Sequence, residues 1–322
     1  MTTKVAVVGN GYWGKNLVRN FYNLKVLGMI CDINPKTLKQ VASEYQGVKL
    51  STDIKDALES KEIKAIAIST PAVLHYKLAR QAILAGKDVF VEKPLALTLA
   101  EAQDLIILAK QNKKILMVGH ILQYHSAVIK LKEIISAGKL GNIRYIYSNR
   151  LNIGRFRTEE NILWSFAPHD ISVMLMLIGE EPIKVNSFGG DYLNCGISDV
   201  TITTLEFKNK IKGHIFVSWL HPYKEQKFVV VGSKGMVVFD DVAKDKLCLY
   251  PHKIRWQHGR IPIAQKADYK IIPFKAEEPL KLELQHFLKC VNKRLVPKTS
   301  GEEGLRVLKV LDAAERAFKK HN

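Results

Sequence analysis

Lys4-Val-Ala-Val-Val8 runs directly into Gly9-Asn-Gly-Tyr-Trp-Gly14, and an apolar helical pattern through Leu17, Val18 and Phe21 follows. A short apolar strand, a glycine-rich turn and a helix, in that order, open a nucleotide-binding βαβ unit. Gly9 permits the tight turn, Gly11 lets the backbone approach a pyrophosphate, and Gly14 allows helix and strand to pack closely. Free N–H groups and the dipole at the helix start favour an anion there. Asn10, Tyr12 and Trp13 fill the remaining places of this cofactor-facing turn. The next apolar run, 26–31, reads as a second strand ending at Asp32, 18 residues after Gly14. A carboxylate at that strand end accepts ribose hydroxyls and repels a 2′-phosphate. No arginine stands beside it, so NAD is expected in preference to NADP.

The alternation continues outward from this unit. Residues 48–50 form a weak third strand, and Thr52 or Asp53 caps a short helix through Leu58. Residues 65–68, apolar throughout, read as a fourth strand buried on both faces. It ends in Ser69-Thr70-Pro71, and the helix at 74–85 is stopped by Gly86. A fifth strand at 89–91 ends in Glu92-Lys93-Pro94. Thr98-Leu-Ala-Glu101 is a capping box for the next helix, and 115–118 is a sixth strand. The pattern is that of a doubly wound parallel sheet. Ligands of such sheets bind at the carboxyl ends of the strands. Lys93 is therefore delivered to the cofactor edge, and Pro94 disfavours helix at that point.

After Gly119 the texture changes. A helix at 126–137 precedes strand-like runs at 143–153, 183–188, 200–207, 211–219, 228–231, 237–239 and 247–250, interrupted by a helix at 163–178. Short turns between several of these runs indicate a large, mainly antiparallel open sheet. Two helices, 280–291 and 302–319, close the chain. The fold class is α/β, with a Rossmann domain over 1–120 and a substrate-binding and oligomerisation α/β domain over 121–322.

Composition narrows the function. A 322-residue chain with 47% hydrophobic and 25% charged residues buries a large core without disulfides or metals. Cys31, Cys195, Cys248 and Cys290 form no C-x-x-C, so neither a disulfide framework nor a metal site is expected. The chain shows no leader and no membrane-length apolar run, and a cytoplasmic setting without membrane association is the expectation. The net charge of +18 suits an anionic small substrate. No nucleic-acid-binding module accompanies it, and much of the charge is a lysine-rich solvated surface.

Gly9-x-Gly11-x-x-Gly14, Asp32, Ser69-Thr70-Pro71 with His75, Glu92-Lys93-Pro94 and Trp164-x-x-Ala-Pro-His169-Asp170 together resemble the Gfo/Idh/MocA oxidoreductase family over essentially the whole chain. The resemblance implies a Rossmann domain, an open-sheet second domain, and homodimers or homotetramers packed through that sheet. It implies that Ser69, Thr70, Pro71, His75 and Glu92 belong to the NAD site. Lys93 is implied to touch both the nicotinamide ribose and the substrate hydroxyl. A lysine beside an oxidised nicotinamide meets like charge and partial desolvation, which disfavour its own charge and suit it to take a proton. His169 is implied as the second acid or base, a duty that imidazole suits near neutral pH. The family usually places an aspartate four residues before this histidine, on the same helix face. Here Ser165 stands there, and serine cannot abstract a proton unaided.

Tyr124 and His125, just after the sixth strand, line the cleft in relatives. The stretch 150–164 is polar and basic; Arg155 and Arg157 suit a diphosphate, Asn161 a sugar or acetamido group, and Trp164 and Ser165 flank them. This resembles the branch that oxidises UDP-linked N-acetylated sugars at C3. A nucleotide sugar is then the expected substrate, and its 3-keto product would feed a sugar aminotransferase. Two alternatives remain: a dehydrogenase of a free polyol such as an inositol, and an NAD-binding regulator without turnover, to which only Ser165 points.

Overall fold

In the computed structural model, described over residues 3–154 and 156–321, the chain begins β1 (Lys4–Val8), α1 (Gly14–Asn23), β2 (Leu27–Cys31), α2 (Pro35–Val41), β3 (Lys49–Ser51) and α3 (Lys55–Glu59). It continues β4 (Ile63–Ile68), α4 (His75–Leu84), β5 (Asp88–Glu92), α5 (Leu99–Gln111) and β6 (Leu116–Gly119). All six strands are parallel, in the order β3-β2-β1-β4-β5-β6. The order reverses between β1 and β4, the switch point at which open α/β sheets hold dinucleotides. Val5, Val7, Ile66, Ile68, Phe90 and Val91 are wholly buried, as strands covered on both faces require. Leu17, Val18 and Phe21 supply the apolar stripe of α1. The Thr98 capping box is present in full. The short helix α3 takes no side-chain cap; Asp53 instead accepts from the Lys55 N–H at 2.9 Å.

The second half contains α6 (Ser126–Ser136), β7 (Ile143–Leu151), α7 (Ile162–Ile178), β8 (Lys184–Gly190), β9 (Val200–Glu206), β10 (Lys212–Ser218), β11 (Glu225–Gly232), β12 (Met236–Asp240) and β13 (Leu247–Tyr250). Then come β14 (Lys253–Gln257), β15 (Ile261–Gln265), β16 (Lys270–Ile271), α8 (Pro279–Lys293) and α9 (Gly301–His321). The large sheet has the order β16-β13-β12-β11-β7-β10-β9-β8. Its pairs are antiparallel except β7 with β10, whose parallel pairing is bridged by the long α7-β8-β9 connection. Alternation sets its faces: Thr201, Thr203 and Leu205 of β9 point inward. Helix α7 packs on β7, β9 and β10. A Cβ at Gly213 would fall 2.9 Å from the Met174 sulfur, so this glycine sets the depth at which α7 lies on the sheet.

Two features depart from the sequence reading. Strands β14 and β15 form a separate hairpin that was not anticipated; every residue in both is exposed, so no buried face marks them as strands. The second departure concerns the C-terminal helices. The chain divides into one compact unit of residues up to Ile121 with Glu278–Leu308, and another of Leu122–Glu277 with the chain from Lys309 onward. Residues 278–308 therefore do not belong with 121–277, as a linear division at 120 assigned them. The Asp88 carboxylate accepts from both terminal nitrogens of Arg294, at 2.8 and 2.9 Å, and from the Ile115 N–H at 2.8 Å. The Phe287 ring meets Phe90 edge-on at 5.7 Å.

Candidate active site

In the first unit the exits of β1, β4 and β5 lie side by side on one edge of the sheet. Gly9 has φ +90°, and a Cβ there would sit 2.7 Å from the Ser69 carbonyl oxygen. A Cβ on Gly14 would lie 1.9 Å from the Gly9 carbonyl oxygen. The turn between β1 and α1 is thus pressed against both its helix and the β4 exit. Gly11 differs: nothing lies within 4 Å of the place where its Cβ would be. This open backbone, two residues before Trp13 and the start of α1, is a cradle of the kind a pyrophosphate needs.

Asp32 is fixed beside it. One carboxylate oxygen accepts the Asn10 N–H at 2.7 Å, and the other accepts the Asn34 N–H at 2.9 Å. Each oxygen retains acceptor capacity for a ribose hydroxyl. Buried Asn10 Oδ1 and Thr70 Oγ1 have no hydrogen-bond partner among the described residues. Open space at Gly11, a helix start, a ribose-facing carboxylate and unspent polar atoms fit a dinucleotide. Tyr12 is 78% exposed on the rim of the turn.

Several expected cofactor contacts have structural duties. The Trp13 indole donates to Glu92 at 2.6 Å, tying the glycine turn to the β5 exit. His75 is buried, and its ring nitrogens lie 2.7 Å from the Pro94 carbonyl oxygen and 2.9 Å from that of Thr70. The ring braces the Ser69-Thr70-Pro71 turn against Lys93-Pro94, so both of its nitrogens face protein carbonyls rather than a ligand. The Lys93–Pro94 peptide is cis.

Glu92 retains some exposure, yet its carboxyl end is enclosed: a Cβ on Gly119 would lie 2.8 Å from one of its oxygens. Desolvation pushes Glu92 up to about 7, against the Trp13 hydrogen bond and the Lys93 charge, which pull it down. His120, directly after β6, is buried and lowered to about 3, by desolvation first and the Lys93 charge second. Neither of its ring nitrogens has a hydrogen-bond partner among the described residues. Glu283 of α8 is wholly buried and held well above the usual carboxylate range by desolvation and by Glu92. Sequence reasoning passed over His120 and Glu283. A visible signal for the latter was an acid on the face of α8 that carries Leu280, Leu284 and Phe287.

In the second unit α7 carries Trp164, Ser165 and His169. Asn161 caps the helix, its side-chain oxygen accepting from the Trp164 N–H at 3.1 Å. The Trp164 indole donates to Glu315 at 2.6 Å. Arg157 pairs with Glu160 at 2.7 Å, and Arg155 lies outside the described residues. Pro168 sits inside α7, which continues past it to Ile178. Ser165 is buried, one turn from the partly exposed His169. Asp170 points elsewhere: its carboxylate accepts from Arg150 Nε at 2.7 Å and from a terminal nitrogen at 3.2 Å. Tyr124 is buried. His125 caps α6 through its ring nitrogen and lies 3.5 Å from Asp241.

No group of three or more metal-ligating side chains occurs among the described residues, and none of their helices is long and apolar enough to cross a membrane.

The fold and the glycine cradle define a dinucleotide-binding domain. Residues 3–120 match the family model described as oxidoreductase family, NAD-binding Rossmann fold, and residues 128–238 match that of the GFO/IDH/MocA C-terminal domain. The chain belongs to the Gfo/Idh/MocA oxidoreductase family, and its residues 3–120 are the family's NAD-binding domain. It is 28% identical to scyllo-inositol 2-dehydrogenase (NAD(+)) of Bacillus subtilis, over 98% of this chain and 94% of that protein. It is 30% identical to UDP-N-acetylglucosamine 3-dehydrogenase of Acidithiobacillus ferrooxidans over 58% of each chain. A solved structure of the latter superposes with TM-score 0.87 at 23% identity, covering 99% of this chain and 98% of that one. A dehydrogenase of Bordetella pertussis, solved with NADH and UDP-GlcNAcA, gives TM-score 0.81 at 21% identity, covering 100% and 98%. At these identities the two structural likenesses concern the fold.

Proposed function

We propose that the protein is an NAD-dependent dehydrogenase of a sugar secondary hydroxyl, acting on C3 of a UDP-linked N-acetylhexosamine or its uronate. The observation that carries the reading is Lys93: it leaves β5 on the same sheet edge as the Gly9–Gly14 cradle, two strands along from β1. Bound NAD supplies a hydride acceptor. Lys93 takes the hydroxyl proton or steadies the alkoxide as it forms. His169 is assigned as the second acid–base group. Asp170 is not its partner, because Arg150 holds that carboxylate. The relative from A. ferrooxidans supports a nucleotide-sugar substrate, and the +18 charge suits a diphosphate. We assign the large sheet as the homo-oligomer interface and a sugar aminotransferase as the consumer of the keto product.

A free-inositol reading stands second, because the match to the B. subtilis inositol enzyme spans nearly the whole chain. A panel of UDP-N-acetylglucosamine, its uronate, myo-inositol and scyllo-inositol, each with NAD, separates the two by nicotinamide absorbance. Turnover of an inositol with none of either UDP-sugar replaces the first reading by the second. NAD is expected to be used in preference to NADP. Asp32→Asn weakens a charge-assisted bond to the ribose and raises KM for NAD by about tenfold or more. Equal efficiency of the wild-type protein with both cofactors refutes the role given to Asp32.

A further inference from the structure

The β14–β15 hairpin is a defined element that its own chain leaves uncovered. His258 and Gly259 turn the strands with positive φ, and the Arg260 N–H returns to the Gln257 carbonyl at 3.1 Å. At the base, the Ala267 N–H donates to the His252 ring at 3.2 Å. All five residues of each strand are nevertheless exposed. The register sorts the side chains into two faces. Ile254 and Trp256 stand opposite Ala264 and Pro262, which makes one face apolar. Lys253, Arg255 and Gln257 stand opposite Gln265, Ile263 and Ile261 on the other. Ile254, Trp256 and Ile261 are each more than half exposed. A lone two-stranded hairpin is marginally stable at best in water, so such a display calls for an outside surface to cover it.

Charge and edge chemistry select that surface. Residues 251–267 carry Lys253, Arg255, Arg260 and Lys266 with His252 and His258, and no acid. A second copy of a chain at +18 opposes this charge rather than complementing it. Pro262 has no N–H to offer an added strand, and Lys253 and Arg255 line the other strand; both are devices by which edges resist pairing. A nucleic-acid groove meets the cations but gives nothing to Ile254 and Trp256. An anionic bilayer surface meets both, because its phosphates take the cations and the layer beneath them takes tryptophan and isoleucine.

We propose that β14–β15 is an arm that adsorbs the protein to an anionic phospholipid surface. Ile254 and Trp256 seat among the headgroups, and the long stems of Lys253, Arg255, Arg260 and Lys266 bend to the phosphates around them. Adsorption of this kind needs no spanning segment. The expectation of no membrane association rested on the length of apolar runs, a measure that a surface hairpin does not meet. The arm's role is independent of the substrate and of Lys93.

The full chain is mixed with vesicles of one part phosphatidylglycerol to two parts phosphatidylcholine, and with vesicles of phosphatidylcholine alone. Sedimentation reads the bound fraction, and tryptophan emission reads Trp256. Binding is expected on the anionic vesicles only, reversed by salt, with a blue shift that Trp256→Phe abolishes. The triple variant Lys253→Gln/Arg255→Gln/Arg260→Gln weakens binding about a hundredfold. Lys61→Gln/Lys208→Gln/Lys234→Gln removes three exposed lysines elsewhere, for the same net charge. It stays within about threefold of wild type, because charges away from the contact are screened. Equal losses in the two triple variants mean that diffuse charge does the binding, and overturn the proposal. So does a wild-type protein that ignores the anionic vesicles, or a blue shift that survives Trp256→Phe. A hairpin variant that dissociates into smaller species in solution assigns the arm to a second copy instead. Tighter wild-type binding to a duplex oligonucleotide than to the vesicles, lost in the hairpin variant, assigns it to nucleic acid, and either result overturns the lipid reading.

Discussion

Lys93→Met lowers kcat by about 10²–10⁴-fold in the NAD-coupled oxidation, the usual cost of losing a positioned acid–base group. Methionine retains the length and most of the packing of lysine but neither takes nor gives a proton. Lys93→Arg separates charge from proton transfer. A guanidinium keeps the positive field at the β5 exit yet stays protonated throughout the working range. If the amine acts as a base, arginine is nearly as inactive as methionine; if it acts only as a fixed cation, arginine recovers much of the rate. NAD binding, followed by quenching of protein fluorescence, shows whether the cradle is intact in both variants. A Lys93→Met protein that binds NAD and turns over within a few-fold of wild type ends the catalytic assignment.

The first unit was largely legible because its constraints are local. A parallel strand buried on both faces has to be apolar throughout, and 65–68 is. The β1–α1 turn needs glycine where a Cβ would strike backbone, and Gly9 and Gly14 stand there. Strand ends were read to within two or three residues. What escaped notice depended on partners distant in sequence. Arg294 reaches Asp88 from 206 residues away, which draws α8 and the start of α9 into the first unit, and no local pattern announces that pairing. The hairpin of β14 and β15 buries nothing, so its alternation had no apolar contrast strong enough to read. Site residues divide in the same way. Glycines and Asp32 are recognisable from spacing. That His75 braces two turns, that Trp164 is tied to Glu315, and that Asp170 belongs to Arg150 follow only from three-dimensional neighbours.

Gly14→Ala and Gly11→Ala are expected to fail in different ways, and the difference tests the cradle itself. At position 14 the new Cβ lies 1.9 Å from the Gly9 carbonyl oxygen, a backbone atom with no rotamer to change. Gly9 has no room to retreat, because its own Cβ position is already 2.7 Å from the Ser69 carbonyl oxygen. The turn must move off its helix, at a cost of about 1–3 kcal/mol of stability. With the turn goes the anion site, so NAD affinity falls roughly ten- to hundredfold as well. At position 11 the Cβ meets nothing in the protein, and no positive φ opposes alanine there. Gly11→Ala therefore keeps the wild-type melting temperature and loses affinity only because its methyl group stands where the diphosphate must approach. Thermal denaturation without NAD and a binding isotherm with it read the two quantities separately. Gly11→Ala binding NAD as tightly as the wild-type protein would mean that the diphosphate does not lie against this turn, and the cofactor would have to be placed elsewhere on the sheet edge.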